Sequence, residues 1–334
     1  MADEAEPVTP PTPEDEFEDE TFSDSMCVSQ VAFLLEIVKA TNKSPQNHSS
    51  SYSFSLSPSV TNYPEEHGRR YHAYRQGRYL LPNDEREMRR LDLVDEMIRF
   101  ALGGLYLAPI AANPQRVLDI GTGSGAVIGN DLSPTQPASV PPNVKFLVDD
   151  VEEDWNYEHR PFDFIHSRYM VFAIKDMKHL VEQAFSSLKP GGWLEIQDFD
   201  SRINSPDDTI KGTCLEHWDK STVDAFARMG FWTRLEPDFA EVLQDAGFVN
   251  IQMKKFPIPL GKWAKDETDQ KLGALNVKQL TEVLEAASIA VLTRSGWTEQ
   301  AVYAMCAGAR NDAKNQEIHA KLDFYVFTAQ KPES

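Results

Sequence analysis

Cysteine is nearly absent: Cys27, Cys214 and Cys306 are the only three in 334 residues. They lie far apart with no paired spacing, which argues against a disulfide framework or a zinc site and leads us to expect a reducing compartment, cytoplasmic or nuclear. Long apolar runs are missing too. The longest early one, Val31 to Val38, is broken by Glu36 and is far too short to span a bilayer, so no membrane anchor or membrane partner is expected. The first twenty residues contain no Lys or Arg but nine acids, the reverse of a secretory leader. Net charge is −19, and the tail's nine acids leave −10 for the rest, so the body is acidic as well. Such a field repels phosphate backbones, and no direct nucleic-acid partner is expected.

What is there divides into a tail and one body. Residues 1–60 mix acids, Pro, Ser and Thr and read as a disordered tail, because they cannot bury enough apolar surface to offset the entropy of ordering. Within it, Cys27 to Ala40 carries Val31, Leu34, Leu35 and Val38 at helical spacing, either a short partner-binding helix or a frayed segment. The body, residues 61–332, gains order near Tyr63. Asn83 or Asp84 offers an N-cap, and Met88, Leu91, Val94, Ile98, Ala101 and Leu102 recur at helical steps until Gly103-Gly104. Short β-type runs follow at 116–120, 126–131, 144–148 and 162–166, then a helix at 175–188 and a strand at 193–197. Helices are expected near 237–246, 277–292 and 298–311, with strands at 249–256 and 322–329. Alternation of this kind predicts an α/β fold with a mostly parallel sheet.

Val117-Leu-Asp-Ile-Gly121-Thr-Gly123-Ser-Gly125 is an apolar strand running into three alternate glycines, where missing Cβ atoms let a ligand lie against the backbone. Gly121, Gly123 and Ala126 also satisfy a dinucleotide fingerprint, so an NAD-dependent oxidoreductase is an alternative. That site wants an acid roughly twenty residues on, but the chain there reads Ser139-Val-Pro-Pro-Asn143. The acids sit elsewhere. Asp131 closes the next β-type run, and Asp149-Asp150-Val151 follows the one after.

Leu118-Asp-Ile-Gly-Thr-Gly-Ser-Gly125, Asp149-Asp-Val, Phe164-Ile-His-Ser-Arg-Tyr-Met170 and Leu188-Lys-Pro-Gly-Gly-Trp-Leu-Glu-Ile-Gln-Asp198 resemble the class I S-adenosylmethionine (SAM) methyltransferases, specifically the fungal LaeA-like group. Gly68-Arg-Arg-Tyr-His-Ala-Tyr74 and Tyr325-Val-Phe-Thr-Ala-Gln-Lys-Pro332 are similar to that group as well. The resemblance implies a Rossmann-like, mostly parallel seven-stranded sheet with an antiparallel last strand and SAM as the cofactor. It implies that Asp119, Gly121, Gly123 and Gly125 line the methionine end, Asp131 the ribose, Asp149, Asp150 and Val151 the adenine, and His166 and Arg168 the pocket mouth. Methyl transfer is an in-line displacement that needs alignment and, for some acceptors, a base. His166 is the candidate base, against a purely structural role; Tyr71, Tyr74 and Tyr169 are candidates for the acceptor pocket, against packing. The implied acceptor is a small-molecule metabolite or a protein, with a regulatory protein complex as a further partner. A catalytically impaired scaffold of the same fold is the second alternative.

One departure stands out. The resemblance implies a helix between the glycine loop and the ribose acid, but only Ala126 to Asn130 separate Gly125 from Asp131. Parallel neighbours need a crossover of at least about ten residues, so the two β-type runs are not expected to stay parallel neighbours, Asp131 is the least secure assignment, and weak SAM binding or instability follows. A missing exon in the gene model, a genuinely short isoform or a decayed gene would each leave this pattern, and the intact flanking motifs favour the missing exon. Full-length transcripts that keep the short junction would exclude it.

Overall fold

A computed structural model describes residues 62–121, 128–133 and 145–334. The tail, Gly123 and Gly125 lie outside the described residues. The chain opens with a two-stranded hairpin, β1 (Glu65–Glu66) and β2 (Arg69–Arg70), and helix α1 (Glu85–Leu102). The sequence-based reading of α1 holds at both ends. Asp84 accepts from the Glu87 N–H as N-cap, and Gly103 takes the left-handed conformation at φ 69° that ends the helix.

The order then runs β3 (Val117–Ile120), β4 (Ile128–Asp131), β5 (Lys145–Val148), β6 (Phe162–Arg168), α2 (Met177–Ser187), β7 (Leu188–Asn204) and α3 (Cys214–Arg228). It finishes with α4 (Phe239–Asp245), β8 (Val249–Pro259), α5 (Glu267–Arg294), α6 (Glu299–Lys314) and β9 (Lys321–Gln330). Seven strands form one sheet in the order β5-β4-β3-β6-β7-β9-β8. The first five pair in parallel, and β9 lies antiparallel between β7 and β8. This is the class I methyltransferase fold. Strand order reverses at β3 and β6, and in open α/β sheets the crevice beyond the carboxyl ends at such a point receives ligands.

The expectation that β3 and β4 could not be parallel neighbours is overturned, since they pair in parallel at Asp119↔Gly129 and Ile120↔Asn130. The overlap is short. From Ile120 the chain regains only about two residues of rise, roughly 7 Å, and steps about 5 Å to the next strand. Gly121 to Val127 is seven residues, with an extended reach of roughly 23 Å. The longer minimum applies to strands that run side by side over more of their length.

Two helices differ from expectation. Helix α3 was not anticipated, although Thr213-Cys-Leu-Glu216 is a capping-box pattern and Thr213 caps the Glu216 N–H at 3.1 Å. Helix α5 begins ten residues before the expected 277, because Gly273 interrupts the apolar pattern without interrupting the helix. A Cβ there would stand 2.0 Å from the Gly261 carbonyl oxygen, so only glycine permits this approach. Apolar packing covers both sheet faces. One core gathers Met97, Leu215, Leu284 and Val302 of α1, α3, α5 and α6 against Phe324 and Val326. The other joins Leu180 and Phe239 of α2 and α4 to Leu118, Ile165 and Phe327.

Candidate active site

Register places the chemistry. Asp119 on β3 stands opposite His166 on β6, which stands opposite Glu195 on β7, so three polar side chains form a row across parallel strands. His166 is buried, and its Nδ1 lies 2.7 Å from Asp119 Oδ1. Glu195 is fully buried. It accepts from the Leu107 N–H at 2.9 Å and the Ala108 N–H at 2.6 Å, anchoring the segment after α1 over the row. Two residues further along the same faces, Arg168 donates to Gln197 Oε1 at 2.8 Å, to the Leu105 carbonyl at 2.5 Å and to Asp95. Its guanidinium is therefore a strut between β6, β7 and α1.

A cavity of about 190 Å³ opens at the carboxyl ends of β3, β4, β5 and β6. Asp119, Gly121, Asp131, Asp149, Asp150, Val151, His166, Arg168 and Tyr169 line it, nine of the residues anticipated from sequence. Asp131 ends β4, accepts from the Ser133 N–H at 2.9 Å and offers its carbonyl to the Asp149 N–H at 3.0 Å. The carboxylate of Asp150 is engaged by Arg78 Nε at 3.1 Å and Arg75 Nη1 at 3.4 Å. Gly121 takes φ 66°, and a Cβ there would meet Met170 Sδ at 2.2 Å. The methionine could move aside; the left-handed backbone is the firmer reason for glycine.

Tyr71 and Tyr74 are a correction, for neither is among the lining residues. The Tyr71 N–H donates to the Pro64 carbonyl at 2.9 Å, and burial of the ring pushes its phenol up to about 12. Tyr74 is half-buried, with the Arg75 guanidinium 5.7 Å from its ring centroid. From the same segment His72 and Tyr79 reach the cavity instead. His72 Nε2 accepts from the Tyr79 N–H at 3.4 Å, and burial lowers its pKa, so the ring is held neutral. The Gly68-to-Tyr74 string was legible, but choosing among its side chains required the turn.

Asp198, at the sheet's centre, accepts from the N–H groups of Met170 at 2.6 Å, Val171 at 2.8 Å and Phe199 at 2.8 Å. Burial pushes it up to about 7 against the lowering effect of those donors. Asp219 on α3 is likewise raised to about 7 by burial. A raised folded pKa means that between about 4 and 7 the folded state holds protons the unfolded state has released. Stability from both groups is therefore present at low pH and lost as pH rises through 7. Asp84 stays silent above pH 5, because its Arg69 hydrogen bond overcomes burial and holds it at about 2. Thermal unfolding followed by calorimetry should give a higher midpoint at pH 5.5 than at pH 8, with a smaller difference in Asp198→Asn; a flat profile contradicts this.

Residues 86–253 match the family described as a methyltransferase domain. The chain belongs to that methyltransferase family. It is 40% identical over 295 residues to the methyltransferase pytC of Aspergillus terreus, covering 83% of this chain and 91% of that protein. It is 31% identical over 305 residues to the protein-methionine methyltransferase laeA of Emericella nidulans, covering 83% and 80%. A solved phosphoethanolamine N-methyltransferase 2 of Haemonchus contortus, in complex with S-adenosyl-L-methionine, is similar at 17% identity and a TM-score of 0.40, covering 77% of this chain and about half, 54%, of that one. This LaeA-like protein is a SAM-dependent methyltransferase and acts on a methyl acceptor. The family match removes the oxidoreductase alternative. Among the described residues of the methyltransferase no helix is long and apolar enough to cross a membrane.

The cavity's charges fit the donor. Asp95, Asp119, Asp131, Asp149, Asp150 and Glu152 face Arg78 and Arg168, and both arginines are already ion-paired. An excess of carboxylate in a concave site attracts a sulfonium and an ammonium and repels anions.

Proposed function

We propose that this methyltransferase binds SAM across the carboxyl ends of β3, β4 and β5 and methylates a small-molecule metabolite or a protein in secondary metabolism. The observation that carries the reading is the convergence of Asp119, Gly121, Asp131, Asp149 and His166 on one cavity at the point where strand order reverses. SAM, when bound, supplies a methyl group activated on a sulfonium. Asp119 and Gly121, with Gly123 and Gly125, hold the methionine end, and Asp131 holds the ribose. Asp149 and Val151 face the adenine, while Asp150, neutralised by Arg75 and Arg78, closes the wall behind it. His166, oriented through Nδ1 by Asp119, takes the acceptor's proton where the acceptor must lose one. Apolar Met88, Leu91, Val94 and Leu105 on the α1 side receive the acceptor's body.

The names of the relatives support a place in secondary metabolism, since Secondary metabolism regulator laeA of Aspergillus flavus is 31% identical over 289 residues. A regulatory complex and a cytoplasmic or nuclear location belong to the same reading. Calorimetric titration with SAH and SAM, followed by transfer of labelled methyl to metabolite and protein fractions of a fungal extract, tests it. Binding with label in either fraction supports the enzyme and identifies the acceptor class. No binding leaves the scaffold alternative standing and overturns the reading.

A further inference from the structure

The four residues after β6 form a turn that main-chain preference alone would not select. Tyr169 at φ 60° and Phe172 at φ 69° both occupy the left-handed region without being glycine. Between them the N–H groups of Met170 and Val171 point away from the sheet ladder and into one carboxylate oxygen, Asp198 Oδ2. Oδ1 of the same group takes the Phe199 N–H. Asp198 stands next to Gln197, whose carbonyl receives the Tyr169 N–H at 3.0 Å. The Tyr169 end of the turn is thus fastened to β7 and the Phe172 end to Trp232, whose carbonyl takes the Phe172 N–H at 2.9 Å, while the buried carboxylate holds the middle.

Tyr169 and Met170 of the turn, with Ala173 and Ile174 just after it, line the cavity. Met170 Sδ occupies the space that a Cβ on Gly121 would need. Tyr169 Oη lies 3.1 Å from Arg90 Nη1, tying the turn to α1 on the acceptor side. Moving the turn therefore moves the surfaces against which donor and acceptor lie.

We propose that Asp198 is a positioning residue for methyl transfer, holding the Tyr169–Phe172 turn so that Met170 closes on Gly121 and Tyr169 faces the acceptor side. The inference rests on the reading that the donor's methionine end lies at Gly121. An aspartate places two oxygens where three N–H groups converge, whereas an asparagine turns one NH₂ toward donors. Were Asp198 only filling the core, an apolar side chain would do so without the desolvation penalty of a buried carboxyl.

The test compares Asp198→Asn and Met170→Ala with the wild type at a temperature where circular dichroism shows each folded. Titration calorimetry with SAH and hydrogen exchange at the Met170 and Val171 amides are the readouts. Asp198→Asn should raise the SAH dissociation constant tenfold or more and accelerate exchange at both amides. Met170→Ala should weaken SAH binding at least threefold while remaining folded. Folded Asp198→Asn that binds SAH within twofold of wild type, or Met170→Ala that binds like wild type, overturns the proposal. If Asp198→Asn does not fold, Met170→Ala decides. Should the wild type itself bind no SAH, the cofactor reading fails, and the exchange rates alone then uphold or overturn the hold of Asp198 on the turn.

Discussion

Asp119→Ala is expected to raise the SAH dissociation constant at least thirtyfold, about 2 kcal/mol, the scale of a lost hydrogen bond to a charged group. Two losses combine. The strand-end carboxylate no longer meets the ligand's ammonium, and His166 loses the partner 2.7 Å from Nδ1 that fixes its ring. Because Asp119 sits at the carboxyl end of β3 rather than in the packed core, the melting temperature should change little. Asp119→Asn keeps the shape and a hydrogen bond to the imidazole and should lose less. Titration calorimetry on all three proteins is the check. An alanine variant that binds SAH within threefold of wild type would remove Asp119 from the cofactor site and return it to a structural role.

The second large effect is on stability. Arg90 in α1 is buried, donating to Glu87 Oε1 at 2.5 Å and to Gln279 Oε1 at 3.3 Å, with its guanidinium over the Tyr169 ring at 5.5 Å. Arg90→Met fills the volume but strands Glu87, whose remaining cation, Arg69, is 3.8 Å away. Breaking a buried pair from one side costs about 3–5 kcal/mol, so the thermal midpoint should fall by roughly 10 °C. Replacing both partners, Arg90→Met with Glu87→Leu, should recover much of the loss, since an apolar pair leaves no uncompensated charge. Differential scanning calorimetry decides. A single-variant cost below about 1 kcal/mol would mean that water reaches Glu87 and that the cluster is not sealed.

Much of the site was legible because strand-end acids and alternate glycines are local signals. Asp119, Gly121, Asp131, Asp149, Asp150 and Val151 could be read from where β-type runs stop, and they line the cavity. His166 closes the next such run, and Arg168 came from the resemblance to the family. Tyr169 lines the cavity whereas Tyr71 and Tyr74 do not, because residues 71–74 are neither helix nor strand and no periodicity reports which of their side chains faces inward. Glu195 and Asp198 carry no signal of their own as anchors. Their partners are main-chain N–H groups of segments 88 and 28 residues away in sequence.

The sequence by itself determined the strand-loop-acid succession, the capped helix α1 and the sheet class, because these follow from side-chain period and short-range backbone preference, and its motif strings carried the resemblance to the family. Only the tertiary structure decided that β3 and β4 remain parallel neighbours across a short junction, since strand overlap is set by pairing and not by composition. It also decided that a buried carboxylate holds the turn beside Gly121, a contact between segments that chain order keeps apart.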